Sequence, residues 1–391
     1  MKNSKNYIKE LLILIVIFVI SSASFNWIMN PYGIFNSPEI EKINQLKPEF
    51  FTHLRLAKAW AVYKHKPDGI ILGSSRSEFG LDPNHSEWNT QSVYNLGLSG
   101  ANMYEVLRYF QHAHTIKPQK QVILGVDFFM FNIFASNHAD FDESNLAMNP
   151  KFYSANKLFT LISIDTIWSS IKTLLKQTEV KFSYLSNGQL HWTNYIRTVR
   201  KQGGHTQFFL LTEEEHMNNT WLNKPRKQYS FVHPKTGEST LKYFCRFLEI
   251  AYRDDVDLRL LISPSHARLW EALYSVGLWP QFEQWKREMV RINAEQANKY
   301  GKTPFPLWDF SGYNSFTTEK VPLLGDTNTE MKWYWEASHY NKILGDLVLY
   351  RIFGEHTTAN DFGKLLESKN IEQQLAKIRI EQQDYRVSVD H

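Results

Sequence analysis

The chain has 391 residues, enough for two or three domains or for one enlarged domain with an insertion. Its 43% hydrophobic content, with 26 Phe, 19 Tyr and 12 Trp, excludes a mainly disordered polypeptide. The 44 basic and 40 acidic residues leave a net charge of +4 without a dense basic block, so nucleic acid is not an expected partner. One cysteine, Cys245, excludes an internal disulfide framework and a cysteine-based metal cluster. Its apolar setting, Tyr243 to Leu248, suits a buried small hydrophobe better than a reactive thiol.

Lys2, Lys5 and Lys9 precede the apolar run Leu11 to Ile20, and no charge follows until Glu39. This predicts one helix crossing a lipid bilayer through residues 11–29, its N-terminus cytoplasmic and Trp27 near the outer interface. The competing reading is a cleaved signal peptide, with Ser22-Ala23-Ser24 as a cleavage site. Either reading exports everything after residue 30. A mean hydropathy of −0.41 and the lack of a second run of that length argue against further spans.

Asn30-Pro31-Tyr32-Gly33 reads as a turn leaving the membrane, and Pro48 to Tyr63 as an amphipathic helix with Phe51, Leu54, Ala57 and Ala61 at helical spacing. Short apolar strands follow at Gly69 to Gly73, Val93 to Leu96 and Gln121 to Val126, with a helix at Met103 to Ala113. After a helix ending near Tyr252 come a strand at Leu258 to Ile262, a helix from Pro280 to Tyr300, a strand at Pro306 to Phe310 and a helix from Ile343 to Ile352. Strands alternating with helices predict an α/β domain, a parallel sheet with helices on both faces. Residues 131–235 break the alternation and read as an insertion with a helix near Lys157 to Leu175. The chain thus divides into an anchor (1–30), an α/β domain (31–355) and a polar C-terminal helix or tail (356–391).

Ligands of such sheets sit beyond the C-terminal strand ends. The first of these ends is Gly73-Ser74-Ser75-Arg76-Ser77, where a strand-to-helix turn presents hydroxyls and backbone N–H groups together. Small residues also serve turn geometry alone. A second small-residue loop, Asn95-Leu96-Gly97-Leu98-Ser99-Gly100-Ala101-Asn102, opens the next helix, and Glu336-Ala337-Ser338-His339 precedes the last. A serine needs a base, imidazole serves near neutrality, and a carboxylate three residues before the histidine can fix its tautomer.

These blocks resemble the SGNH/GDSL hydrolase superfamily, in particular its membrane-anchored exported branch, which includes alginate O-acetylation proteins and the lipoteichoic-acid D-alanylation protein. The resemblance covers roughly residues 48–130 and 240–355. It implies a three-layer flavodoxin-like parallel sheet, with Ser75 as nucleophile, His339 as base and Glu336 in place of the usual aspartate. It also implies an oxyanion hole from the Ser75 and Gly100 N–H groups, with Asn102. The chain departs from the family at Gly125-Val126-Asp127, where Asp127 stands for the usual oxyanion asparagine. Asp127 is then protonated, or orients Ser75 or Arg76, or leaves the hole to the other donors.

Arg76 reads either as a fork for a substrate carboxylate or phosphate or as the partner of Glu78, Asp127 or Glu105. Arg76 and Asp127 are thus the candidate substrate-binding pair. His266 reads as a cleft or structural histidine, Trp333 and Trp335 as a sugar platform or as packing, and His138, Asp140 and Asp142 as a polar loop rather than a metal site. The resemblance implies an O-acyltransferase or acylesterase, transfer favoured, acting on a cell-surface polysaccharide or envelope polymer. It would be a single-pass inner-membrane protein with a periplasmic domain, a multispanning acyltransferase as partner and no metal or organic cofactor. The alternative is a non-catalytic glycan-binding or assembly protein of the same fold.

Overall fold

Runs such as Gly69-Ile70-Ile71-Leu72 and Gln121 to Val126 carry no polar alternation because both faces of the strand they form are covered. In the computed structural model, which describes residues 2–146, 157–178, 183–222, 228–354 and 360–389, every residue of these two strands is buried. The chain forms two compact units, residues 1–65 with 140–183, and residues 66–139 with 184–391.

The second unit is an α/β domain on a six-stranded sheet. Its strands are β1 (Gly69–Leu72), β2 (Val93–Asn95), β3 (Gln121–Val126), β4 (Asp257–Ile262), β5 (Leu307–Asp309) and β6 (Lys364–Leu365). They lie in the order β2-β1-β3-β4-β5-β6, the first five parallel and β6 antiparallel at the edge. Register pairs Leu72 with Leu124, Val126 with Ile262 and Ile262 with Asp309, so the C-terminal ends of four strands share one edge. Helices Met103–Ile116, Leu241–Arg253 and Trp279–Lys299 pack in succession beside the sheet, and the short helix Ser75–Gly80 packs on Lys342–Phe353.

The expected tail is part of this unit. Residues 364–365 supply β6, and helix Ile371–Val389 buries Leu375 and Ile378 while Arg379 forks onto Glu283 at 2.7 and 2.5 Å. The helix looked peripheral because its charged residues are the partners of charges on helices far away in sequence. The expected insertion at 131–235 also divides: residues 140–183 belong to the first unit and 184–235 to the second. Parts of it (147–156, 179–182, 223–227) and of the tail (355–359, 390–391) lie outside the described residues.

In the first unit, helix Lys2–Met29 is, among the described residues, the one helix long and apolar enough to cross a membrane. It ends where Asn30 closes a turn, its side chain donating to Phe35 O at 2.8 Å and accepting from Phe35 N at 3.0 Å. Tyr32, Ile34, Phe35 and Trp60, the last from helix Leu54–His65, form a small core with Leu161. Residues 31–65 thus belong with the N-terminal helix rather than with the α/β domain.

Candidate active site

At the end of β1 the chain must reverse from strand to helix within one residue. Gly73 does so at φ +139°, where a Cβ would stand 2.4 Å from Ser77 Oγ and 2.9 Å from Gly125 O, so a side chain fits neither the backbone nor the space. Ser74 caps the helix that follows: its hydroxyl accepts from Arg76 N at 3.2 Å and donates to Asp127 Oδ2 at 2.5 Å. Ser75 opens that helix, and between Gly69 and Pro83 it alone reaches the surface. Its backbone N–H makes no hydrogen bond within the described residues and is one of the unpaired donors of a helix start.

The histidine arrives on a tight hairpin. Trp335 N donates to His339 O and Asn341 N to Trp333 O, both at 2.9 Å, leaving Glu336, Ala337 and Ser338 at the turn. Glu319 accepts Lys332 N at 2.6 Å and Trp333 N at 3.0 Å, which anchors the entering strand of the hairpin. Asn341 caps helix Lys342–Phe353 by accepting from Ile343 N at 3.0 Å and Leu344 N at 3.2 Å. That helix crosses Ser75–Gly80 so closely that a Cβ on Gly345 would lie 1.7 Å from Gly80 O. The crossing brings two segments 264 positions apart together, and His339 Nε2 lies 2.7 Å from Ser75 Oγ.

The other ring nitrogen, Nδ1, bonds Glu336 Oε1. Glu336 is buried and also accepts Ser338 N at 2.8 Å and His339 N at 3.1 Å. Burial opposes its ionisation. The charge and hydrogen bond of His339, with the Ser338 N–H and His216, outweigh that and hold the carboxyl below its ordinary value. An ionised carboxylate only accepts, so the proton of the imidazole sits on Nδ1 and Nε2 is left to accept from the Ser75 hydroxyl.

The structure makes Arg76 a clasp rather than an open anion site. It is 3% exposed; its Nη1 donates to Asp127 Oδ1 at 2.8 Å, its Nε to Ser338 Oγ at 3.1 Å, and its Nη2 lies 3.5 Å from His216 Nε2. The expected substrate-binding pair Arg76 and Asp127 is therefore occupied by itself: Asp127, 1% exposed, is divided between Arg76 and Ser74. Of the four readings of Asp127, the one in which it orients Arg76 matches this placement. Asn102 is likewise engaged, its Oδ1 capping helix Met103–Ile116 at Glu105 N and its Nδ2 donating to Asn137 Oδ1 at 2.9 Å. Its Oδ1 is thereby taken, while Nδ2, which carries two N–H groups, keeps one beyond its bond to Asn137. Gly100, by contrast, is exposed and its N–H makes no hydrogen bond within the described residues. Its loop is tied to the serine loop by Leu98 N donating to Gly73 O at 2.9 Å.

His216 is the site residue that sequence reasoning missed. It opens a π-helical turn, His216–Thr220, in the former insertion, a local irregularity with no spacing signature. Its Nδ1 donates to Thr212 O at 2.9 Å, so Nε2 faces Arg76 as an acceptor, and burial with Arg76 alongside pushes its pKa down to about 4. His266 is structural: it is fully buried, caps a helix by accepting from Arg268 N at 3.2 Å, and donates to Glu319 O at 2.7 Å. Trp333 packs on Phe316 with ring centroids 5.1 Å apart and Trp335 on Tyr195 at 4.1 Å. Asp140 pairs with Arg55 at 3.0 Å.

No family model matches the sequence, and a search of curated proteins finds no significant match. The chemistry therefore rests on the arrangement itself: a serine hydroxyl on an imidazole nitrogen, a carboxylate behind it, and N–H groups at Ser75 and Gly100 that are unpaired among the described residues. Such a set can deliver an oxygen nucleophile to an acyl carbon.

Proposed function

We propose that this chain is a serine-dependent enzyme of SGNH type, tethered to the inner membrane by residues 11–29 with its α/β unit on the periplasmic side. It would move an O-acyl group on or off a cell-surface polysaccharide or related envelope polymer. The observation that carries the chemistry is the 2.7 Å approach of His339 Nε2 to Ser75 Oγ, with Glu336 on the opposite nitrogen. The order β2-β1-β3-β4-β5, the flavodoxin-like arrangement that the resemblance implies, supports the fold assignment, and Ser75 stands at its switch point beside β1.

In this reading Ser75 Oγ attacks the acyl carbon as His339 Nε2 takes its proton, and Glu336 stabilises the imidazolium. The N–H groups of Ser75 and Gly100 hold the oxyanion. Collapse expels the donor's oxygen, which takes the proton from His339 and leaves Ser75 acylated. A polymer hydroxyl then attacks the acyl-serine for transfer, or water for hydrolysis, with His339 again as base. A hole without the family asparagine lacks a donor worth about 10²–10³ in rate, which suits transfer from an activated donor better than rapid ester hydrolysis. A binding-only protein would suit Asp127 and the aromatic richness of the chain, but the pairing of Asp127 with Arg76 accounts for that residue without a glycan.

The test is a fluorophosphonate probe on the full chain, read by peptide mass. The expected adduct is on Ser75, absent in Ser75→Ala and slowed by about 10² or more in His339→Ala. An unmodified Ser75, together with unchanged acylation of the envelope polymer in cells carrying Ser75→Ala at normal protein level, would overturn the reading.

A further inference from the structure

Within the unit that carries the N-terminal helix, helix Ile164–Leu175 is inside out. Its buried residues are Thr166, Ser169, Ser170 and Thr173, all hydroxyl side chains. Its outward stripe is Ile164, Trp168 and Leu175, which are 73%, 61% and 75% exposed, with Ile171 between them. The preceding helical turn, 157–162, adds the exposed Leu158, Phe159 and Ile162. A helix on a water-soluble surface buries its apolar stripe and shows its polar one. Small hydroxyl residues between helices with apolar residues facing outward are the arrangement of helices in lipid.

What the hydroxyl face packs against is the end of the N-terminal helix. Asn26, fully buried, donates to Leu161 O at 2.8 Å and accepts from Ser170 Oγ at 2.8 Å, while the Tyr32 hydroxyl lies 2.9 Å from Ser169 Oγ. An amide whose polar atoms are both satisfied inside the protein can sit at membrane depth. Length makes the same point. The uncharged run Leu11 to Met29 spans about 28 Å, close to the ~30 Å of a hydrocarbon core. Leu11 to Ser21, about 16 Å of it, is exposed throughout, and burial starts at Ser22. For the run to fill the bilayer, its packed end must lie within the membrane, and helix Ile164–Leu175 goes with it. Twelve residues, about 18 Å, are too short to span. Asp165, bonded to His53 at 2.9 Å on the helix flank, belongs at headgroup level.

We infer that residues 157–175 form a second membrane-seated element, an interfacial helix pair whose Ile164–Trp168–Ile171–Leu175 stripe rests among the acyl chains of the leaflet where the N-terminal helix emerges. The inference rests on the anchor reading and not on the acyl chemistry. It fixes the first unit to the bilayer at two places instead of letting it swing on a single helix.

The test uses the full chain with Cys245→Ala, carrying one polarity-sensitive label at Trp168→Cys, Leu175→Cys, Phe18→Cys or the exposed Lys235→Cys, in vesicles of phosphatidylcholine and phosphatidylglycerol. Labels at 168 and 175 are expected to shift to the blue, to be quenched by brominated lipid and to be shielded from iodide, as at 18 and unlike 235. Iodide access at 168 and 175 with shielding at 18 overturns the inference and leaves the anchor standing. Access at 18 as well overturns both. Shielding at 168 and 175 in native membranes but not in the pure lipid vesicles would assign the stripe to a protein partner and overturn the lipid assignment.

Discussion

Arg76 follows the serine in the chain and Ser338 precedes the histidine, so the bond from Arg76 Nε to Ser338 Oγ at 3.1 Å runs beside that from His339 to Ser75 at 2.7 Å. The guanidinium is a positioning group: one arm holds the histidine hairpin, one holds Asp127 and thereby Ser74, and one faces His216. A planar fork meets three partners at once, whereas an ammonium on a flexible stem does not. Arg76→Lys keeps the charge beside Asp127 and loses the geometry. It is expected to lower stability by about 1–3 kcal/mol, read as a lower urea midpoint, and to slow fluorophosphonate labelling of Ser75. A wild-type midpoint together with a wild-type labelling rate would show that the clasp is dispensable. Sequence offered two readings of Arg76 because its partners come from β3, from the histidine hairpin and from the former insertion. No local pattern says which of them meet at one strand edge.

At the scale of elements, the serine–histidine distance is set by a helix crossing. Gly80 and Gly345 let Ser75–Gly80 and Lys342–Phe353 touch backbone to backbone, and a Cβ on Gly80 would also lie 1.9 Å from the Tyr340 ring. Gly345→Ala puts a methyl at 1.7 Å from a carbonyl oxygen, a clash that no rotamer relieves. The helices must separate, at about 1–3 kcal/mol or more, and His339 moves with its helix. The expected outcome is a lower melting temperature and loss of Ser75 labelling out of proportion to the loss of folded protein. A variant that labels normally would show the crossing to be slack. Both glycines escaped the sequence reading, since a glycine inside a helical pattern looks like a weak helix position until its neighbour is known. The strands β1, β3 and β4 were legible because burial on both faces leaves an unbroken apolar run, and Ser75, Glu336 and His339 because each belongs to a compact block at an element boundary. Strand β6 was not, being two residues on an edge. Helix Ile164–Leu175 was found as a helix, but the inversion of its faces depends on what stands beside it.

Across the α/β unit, three buried histidines share one electrostatic condition. His205, His216 and His266 are each pushed down to about 4, first by burial. Each is held by hydrogen bonds that need its neutral form: His205 accepts from Met331 N, His216 faces the Arg76 guanidinium, and His266 accepts from Arg268 N. Between their ordinary value of 6.5 and about 4, the unfolded chain binds protons at these sites and the folded chain does not. Stability therefore falls as pH is lowered through that window, by about 1.4 kcal/mol per pH unit for each histidine at its steepest. Glu336, held below its ordinary 4.5, adds a loss in the same direction at the acid end. Glu213, Glu319 and Glu381, raised by burial, act oppositely, because the folded state takes up protons there before the unfolded state does. With three histidines pushed from 6.5 to about 4, a wider window than the carboxyls cover, the net slope is expected to be downward towards acid. The check is the melting temperature from pH 7 to pH 4, in wild type and in His216→Gln, where removal of one of the three histidines should make the decline shallower. A curve that is flat or rises towards acid would mean that these imidazoles take up protons in place, and that the neutral contacts between the former insertion, Arg76 and the histidine hairpin do not hold the site together.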